Sequence, residues 1–465
     1  MKHLKSLSLL ISLTLASCSL NPDYDRPAAP IPTTYKDAAS PSDIGNDVLS
    51  EGQLNDWRKH FSDPSLQRII EAALKNNRDL KLAALRIEEV RAQYRIQSSA
   101  QLPSIDATGS YIRSQQPSPL TGKMETGSQY QAGVGLTAFE LDFFGRIRSL
   151  SEAALAQYFA TEEAHRAARI SLVAEVATTY IRELTLAQQE LLASNTLKSR
   201  EDSFAINRKR LEAGVTNAVE MRTAEMLSET SRARLAEVRR ERARVRNNLR
   251  ILVGSFDFAV EEKQLNIEAI QFPPLNAGLP SKLIERRPDI RQQEEELLAA
   301  NANIGAARAA FFPSLTLTSS IGSVSREFSD LFKGGTEVWS FMPQLNIPIF
   351  SGGRNKANLD VANVRKNIAV VRYEQSIQNA FREVMDTLVA HDQLLVQVTA
   401  QKAVRDADSE RARLAQKRYD KGVANYLEYL DSQRSQFESD QEYLRLQELR
   451  LSNDIALYRS LGGGW

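Results

Sequence analysis

Cysteine is almost missing from this sequence: Cys18 stands alone among 465 residues. An intrachain disulfide is therefore impossible. Histidine is nearly as scarce, and His3, His60, His165 and His391 lie far apart. No Cys/His cluster has metal-ligand spacing, so no metal site is read. A phosphate-binding glycine loop, a nucleophile elbow and an HExxH pair are also lacking. Acids and serines are plentiful but form no catalytic constellation, so nothing points to an enzyme or a cofactor. Charge of one sign is lacking too: 59 Lys and Arg face 58 Asp and Glu. That balance excludes a surface built for nucleic acid. Finally, no run reaches 18 consecutive apolar residues, so the mature chain has no transmembrane helix and could span a membrane only with strands.

What is present begins with targeting. Lys2 and Lys5 precede a mostly apolar stretch, Leu7–Leu15, and then small residues. This is the pattern of a secretory signal over residues 1–17, too short to span a bilayer as a helix. Leu15-Ala16-Ser17-Cys18 matches the bacterial lipobox, which implies cleavage before Cys18 and a lipid on that residue. Ser19, rather than Asp, follows it, which is compatible with sorting to the outer membrane. The plainer reading is an ordinary signal in which the cysteine is incidental. Each buried methylene of an acyl chain contributes about 0.8 kcal/mol, so several chains anchor firmly.

The rest of the chain repeats itself. Asn77-Arg78-Asp79-Leu80 returns as Arg287-Pro288-Asp289-Ile290, and Leu102-Pro103-Ser104 as Phe312-Pro313-Ser314. Gly145-Arg146 returns as Gly353-Arg354, and Leu252-Val253-Gly254 as Ser460-Leu461-Gly462. Arg210-Leu211-Glu212-Ala213-Gly214-Val215 returns as Arg418-Tyr419-Asp420-Lys421-Gly422-Val423. Ordered landmarks at nearly constant offset mark a duplication. The chain divides into residues 18–62, a first repeat over 63–254, a linker over 255–279 and a second repeat over 280–465.

Each repeat reads alike. A helix ends before Pro103 or Pro313, because proline disfavours helix continuation. Two alternating stretches follow, within about 103–142 and 313–350, joined by the polar loops 114–128 and 323–337. A very long helix is expected from Gly145 to Ala213 and again from Gly352 to Lys421, each roughly 100 Å at the helical rise. A glycine turn reverses the chain, and a return helix reaches Val253 or Leu461. Ile170, Val173, Ala177, Tyr180, Leu184, Ala187 and Leu191 are spaced alternately three and four apart, a seam for a neighbouring helix. On the helices alone, a structural coiled coil is an equal reading.

The strands separate the readings. Ile105, Ala107, Gly109 and Tyr111 share one face; Leu315, Leu317, Ser319 and Ile321 repeat them in phase. Tyr130, Ala132, Val134, Leu136 and Ala138 alternate with Gln129, Gln131, Gly133, Gly135 and Thr137. Trp339, Phe341, Pro343, Leu345 and Ile347 alternate with Val338, Ser340, Met342, Gln344 and Asn346. An apolar face opposite a small or polar one suits a membrane barrel with a wet lumen. Four strands cannot close such a barrel, so it must be shared among chains around an axis. A soluble four-stranded sheet capping a coiled coil is the alternative.

Together these features resemble the TolC-like outer-membrane efflux proteins (outer membrane factors), in the OprM-like lipoprotein branch, over essentially the whole mature chain. The likeness rests on Cys18 through Pro27, Asp56-Trp57, Phe143-Phe144-Gly145-Arg146, Phe350 through Arg354, Gly422 through Asp431 and Leu461-Gly462-Gly463-Gly464-Trp465. It implies an α+β membrane fold: a homotrimer whose twelve-stranded barrel, four strands per chain, continues into a long periplasmic α-helical barrel. A mixed equatorial region would come from about Asn21–His60, Ser255–Pro280 and the C-terminus. The resemblance further implies a passive duct with no cofactor beyond the lipid. Its implied partners are a periplasmic adaptor and a resistance-nodulation-division pump of the inner membrane.

The same resemblance assigns sites. Arg210, Leu211, Gly214, Val215, Arg418, Tyr419, Gly422 and Val423 would dock on adaptor hairpins, though a bare helix reversal explains the glycines equally. Leu427 and Asp431, four apart and so on one helix face, would form an apolar constriction and an anionic ring, with Arg418 nearby to pair with an acid. Asp431 read plainly is a solvated surface charge. At offset 208 Asp431 corresponds to Thr223, which has no charge, so the gate acid belongs to the second repeat alone. The rival readings are a duct for type I protein secretion, a periplasmic coiled-coil adaptor lipoprotein and a lipid-anchored enzyme.

Overall fold

The computed structural model describes residues 19–35, 56–117, 122–257, 266–275 and 280–464; the signal segment and Cys18 lie outside them. Among the described residues the helices are α1 (Trp57–His60), α2 (Pro64–Asn76), α3 (Arg78–Ser99), α4 (Arg146–Glu212), α5 (Ala218–Val253), α6 (Lys282–Arg286), α7 (Pro288–Ala309), α8 (Arg354–Asp420) and α9 (Tyr426–Ser460). The strands are β1 (Ile105–Pro117), β2 (Met124–Leu141), β3 (Ser314–Ser325) and β4 (Glu337–Asn346). The duplication is carried into the elements. Both α4 and α8 have 67 residues, and α5 and α9 have 36 and 35. Among the described residues no helix is long and apolar enough to cross a membrane.

The chain forms two compact units, and each draws on both repeats: 1–28, 86–162 and 292–374 in the first, 29–85, 163–291 and 375–465 in the second. The sequence repeat and the compact unit are thus different divisions of this chain.

The first unit carries one antiparallel sheet in the order β1-β2-β3-β4. Cross-strand partners confirm the face pattern. Ala107 pairs with Val134, Val134 with Ile321 and Ile321 with Trp339, all on the apolar face. Two expectations need correction. First, Ala138 does not continue the face of Leu136. The register slips between Leu136 and Phe139, and Ala138 takes φ +49°. This is a bulge, in which one extra residue reverses the alternation, and Phe139 takes the expected place opposite Leu317. Second, the strands run further into the polar loops than alternation suggests. The first ladder continues to Pro117 and Met124, and β3 reaches Ser325. Backbone pairing does not depend on side-chain polarity, so a ladder outlasts its apolar face. β4 ends at Asn346, one residue short of Ile347.

Small residues let the helices of this unit approach closely: Ala153 and Ala156 on α4 pack with Ala299 and Ala302 on α7. The segment after Cys18 is fastened along α7. Arg308 donates to the Leu20 carbonyl at 3.1 Å and Asn301 to that of Pro22 at 2.8 Å. Ser149 donates to Asn21 Oδ1 at 2.7 Å. Arg26 grips Glu294 through two bonds of 2.6 and 2.9 Å. Gly305 makes room for the strap, since a Cβ there would lie 1.7 Å from Asn21 Oδ1.

In the second unit the helical seam is buried from Ile170 to Ala187. Leu191, expected in it, is 62% exposed, so the seam stops one position early. Its inner end is an aromatic cluster of His60, Phe61, Phe272 and Tyr458, with ring centroids about 5 Å apart. Burial pushes His60 down to about 3, so it is a neutral core residue. The glycine-rich ending has a steric cause: a Cβ on Gly463 would meet Ile170 at 2.8 Å. Equivalent ties hold both repeats. Asn77 donates to the Leu252 carbonyl at 2.9 Å, and Arg287, 210 residues on, donates to that of Ser460 at 3.1 Å. Arg287 is buried and compensated by Asp289 and Glu383 at 2.6 and 2.8 Å.

Candidate channel wall and hairpin tips

A membrane wall needs an apolar outside, a polar inside and aromatic rims. The sheet has these parts. Tyr111 stacks on Tyr130 at 4.7 Å at one end of the apolar face. Toward the other end lie exposed Ile347, Ile349 and Phe350, and Phe144 stacks on Phe312 at 4.7 Å. From Tyr130 to Leu141 is eleven steps along β2. At ~3.3 Å per step and a tilt of ~40° that is about 28 Å of height, close to the ~25 Å apolar band of such barrels.

The opposite face is pinched. A Cβ on Gly322 would come within 2.2 Å of the Ala132 carbonyl oxygen, and one on Gly133 within 2.7 Å of that of Ile321. Gly109, on the apolar face, would have 3.9 Å. The central strands are therefore drawn together on the polar face, as on the inner side of a curved wall. β1 and β4 are the sheet's two edges, and each pairs on one side only within the chain.

In the second unit both helical hairpins reverse by one device. Gly214 has φ +69° and Gly422 φ +72°, which glycine adopts without the Cβ penalty. Val215 N donates to the Arg210 carbonyl at 2.8 Å and Gly214 N to that of Leu211 at 3.0 Å. Val423 and Gly422 repeat this on Arg418 and Tyr419, both at 2.9 Å. This is the Schellman pattern, which satisfies the last helical carbonyls. Asn217 then caps α5 by accepting from Glu220 N at 3.0 Å, and Asn425 caps α9 by accepting from Glu428 N at 2.8 Å. The turns leave Val215 66% and Val423 69% exposed.

The side chains around the two turns are not alike. Arg210 reaches from the first tip to donate to the Tyr419 hydroxyl of the second at 2.7 Å. Tyr419 also stacks on Tyr429 at 5.3 Å, with planes 3° apart, and Tyr426 lies 5.6 Å away. Tyr426 shares a 2.9 Å hydrogen bond with Ser203. Arg418 meets Glu428 at 3.4 Å, an acid across the turn as expected. Asp431 pairs instead with Arg434 at 2.8 Å. Leu427 is 73% exposed, so its apolar side chain lies open to water in the single chain. The tyrosine cluster was not foreseen. Its signal was the set of tyrosines at 419, 426 and 429 across one turn, opposite Leu211, Ala218 and Met221 in the first repeat.

Comparison with known proteins agrees with this architecture. The sequence profile described as outer membrane efflux protein matches residues 69–255 and 279–463. The outer membrane protein OprJ of Pseudomonas aeruginosa is 44% identical over 98% of this chain and 95% of its own. The cation efflux system protein CusC of Escherichia coli is 41% identical over the full length of both. The open-state structure of the Neisseria gonorrhoeae outer membrane channel MtrE superposes with a TM-score of 0.85 at 38% identity, covering 96% of this chain and 98% of that one.

Proposed function

The chain belongs to the outer membrane efflux protein family, and we propose that three copies form the exit duct of a tripartite pump, fed through a periplasmic adaptor by an inner-membrane pump of the resistance-nodulation-division class. As an outer-membrane efflux channel subunit it conducts passively; no catalysis is assigned to it. The observation that carries the trimer is the sheet with two open edges and one apolar face. In hydrocarbon an unpaired edge costs several kcal/mol per backbone group, so only a closed ring is viable. Twelve strands from three chains close it with room for a lumen. Cargo is drugs or other small toxic compounds, selected by the pump rather than the duct.

Within that reading, residues 18–62 anchor the chain, and the strap along α7 supports it. Leu20, two residues past Cys18, is held by Arg308, six residues before β3. A lipid on Cys18 would thus start beside the membrane wall. The paired repeats 63–254 and 280–465 supply the wall and the tips, with 255–279 between them. Val215 and Val423, presented by identical turns together with Leu211 and the two glycines, form the adaptor-docking surface. Leu427 and Asp431 form the gate, an apolar ring above an anionic one. The bonds of Arg210 to Tyr419 and Arg418 to Glu428 latch the tips, and opening breaks them.

Purified in mild detergent, the chain should have trimer mass and form pores in planar bilayers. Monomer mass with no pores sinks the duct and favours an adaptor. Asp431→Ala should alter single-channel conductance and weaken cation preference; if both stay as they were, the gate assignment fails while the duct stands.

A further inference from the structure

Arg200, on α4, is an anomaly among the charges of the second unit. It is 8% exposed, and its Nη1 is fully buried without a hydrogen-bond partner. Among the described residues no carboxylate lies within ion-pair distance of it. Tyr426 and Tyr429 are the titratable groups that act on it electrostatically. Other buried arginines here behave differently: Arg287 has Asp289 and Glu383, and Arg242 has Glu183 and Glu190. A buried guanidinium without a counter-charge is costly, since desolvation removes far more than nearby dipoles return. Burial lowers its pKa, but an arginine stays charged at any physiological pH. Something else must complete the site.

Arg200 lines a cavity of about 220 Å³ between α4 and α9. The wall carries groups that can donate to an anion: Asn195 and Ser199 from α4, Gln433 and Gln436 from α9; the Thr196 hydroxyl is committed to the Leu192 carbonyl at 2.9 Å. The one acid on it, Asp440, makes no ion pair among the described residues. Burial, with repulsion from Asp408, pushes its pKa up despite Arg405. Arg200 is not among the charges that act on it, so Asp440 does not serve as the counter-ion of the guanidinium. A neighbouring cavity of about 410 Å³ shares Asn195 and Ser199 and is lined by Asn207, 2% exposed with an unpartnered Oδ1. That second wall also carries Asp202 and Asp420, so it suits the anion's waters rather than the anion.

We propose that this cavity is a binding site for a small monovalent anion, a halide or a small carboxylate such as acetate, held by Arg200 with Ser199 and the glutamine amides. The volume suits one such ion with a few waters, and the wall supplies one full positive charge and several neutral donors. The site lies behind Tyr426 and Tyr429, on the same helices as the tip. It does not depend on the pump reading, because every lining residue belongs to one chain.

The test uses the full-length protein in detergent. Melting temperature is followed as gluconate, a bulky and weakly binding anion, is replaced by chloride or by acetate at constant ionic strength. Wild type should gain a saturable rise of about 2–4 °C, the mass-action signature of a ligand bound only to the folded state. Arg200→Gln should melt normally in gluconate and lose the rise. Ser199→Ala, which leaves the charge in place, should shift its midpoint to several-fold higher anion. Asp440→Asn should keep the rise. Crystals soaked in bromide should show an anomalous peak against Arg200. No anion dependence in wild type overturns the proposal. So does a bromide peak without a melting response, which would be an adventitious ion only. So, too, does an Asp440→Asn variant that loses stability in every anion, which would make Asp440 the hidden counter-charge. If Arg200→Gln fails to fold, the Ser199→Ala midpoint decides.

Discussion

The two helical hairpins share a backbone and differ in chemistry. Both turns use a left-handed glycine, the same pair of carbonyl bonds and an asparagine cap. Yet Leu211, Ala218, Met221 and Thr223 stand where the second tip has Tyr419, Tyr426, Tyr429 and Asp431. Higher in the same unit the divergence continues. Glu183 binds Arg246 at 2.8 Å in the first repeat; 208 residues on, the pair is His391 with Asp454 at 2.9 Å, its polarity reversed. On the proposed roles, what stayed the same is what an adaptor docking on both tips would need, and what changed is what a gate carried by the second repeat would need: stacking, a charge and a titratable bond.

That comparison can be broken at graded cost. The largest effect is expected from Tyr419→Ala, which removes a stacked ring and strands the Arg210 guanidinium. A loss of about 2–3 kcal/mol of local tip stability should appear as higher resting conductance. Leu211→Ala should leave conductance near wild type, and equal leakage from both would erase the asymmetry. Next come Gly214→Ala and Gly422→Ala. Both place a Cβ at positive φ and should cost about 1–2 kcal/mol each. Amide exchange at the two tips should rise to a similar degree, and adaptor binding should weaken in both. A large inequality would show that the shared turns do not share a role.

The smallest effect is the titration. Asp454 raises the pKa of His391 by accepting its hydrogen bond, with Asp392 adding and Arg450 opposing. A raised folded pKa gives stability that is complete below the ordinary histidine value and is lost as pH rises through the folded one. His391→Gln should therefore lower stability at pH 5, by on the order of 1 kcal/mol or less for a half-buried pair, and converge on wild type at pH 8. A pH-independent deficit in His391→Gln would mean that packing, rather than charge, is at stake there.

Much of this was legible in the sequence because it is local or periodic. Gly214 and Gly422 announce turns, Pro103 and Pro313 announce helix ends, and two-residue alternation announced the faces of all four strands. The bulge at Ala138 was hidden because alanine fits either face, so the slipped register left no mark. Leu191 continued the heptad in letters, but spacing alone does not show which seam positions are covered by a neighbour, and this one is exposed. Arg210 and Tyr419 stand 209 residues apart, and no spacing rule connects them. Arg200 is harder still. As a letter it is one arginine among many, and only burial makes its missing partner visible.

The edges of the sheet have one more consequence. β1 offers thirteen residues and β4 ten with one side unpaired. In water such edges invite indiscriminate pairing with other chains, and in lipid they are intolerable. One copy or two thus has no stable resting place on either side of the bilayer surface. Insertion and ring closure must be a single cooperative event, and its rate should climb steeply with the density of chains already gathered at the membrane.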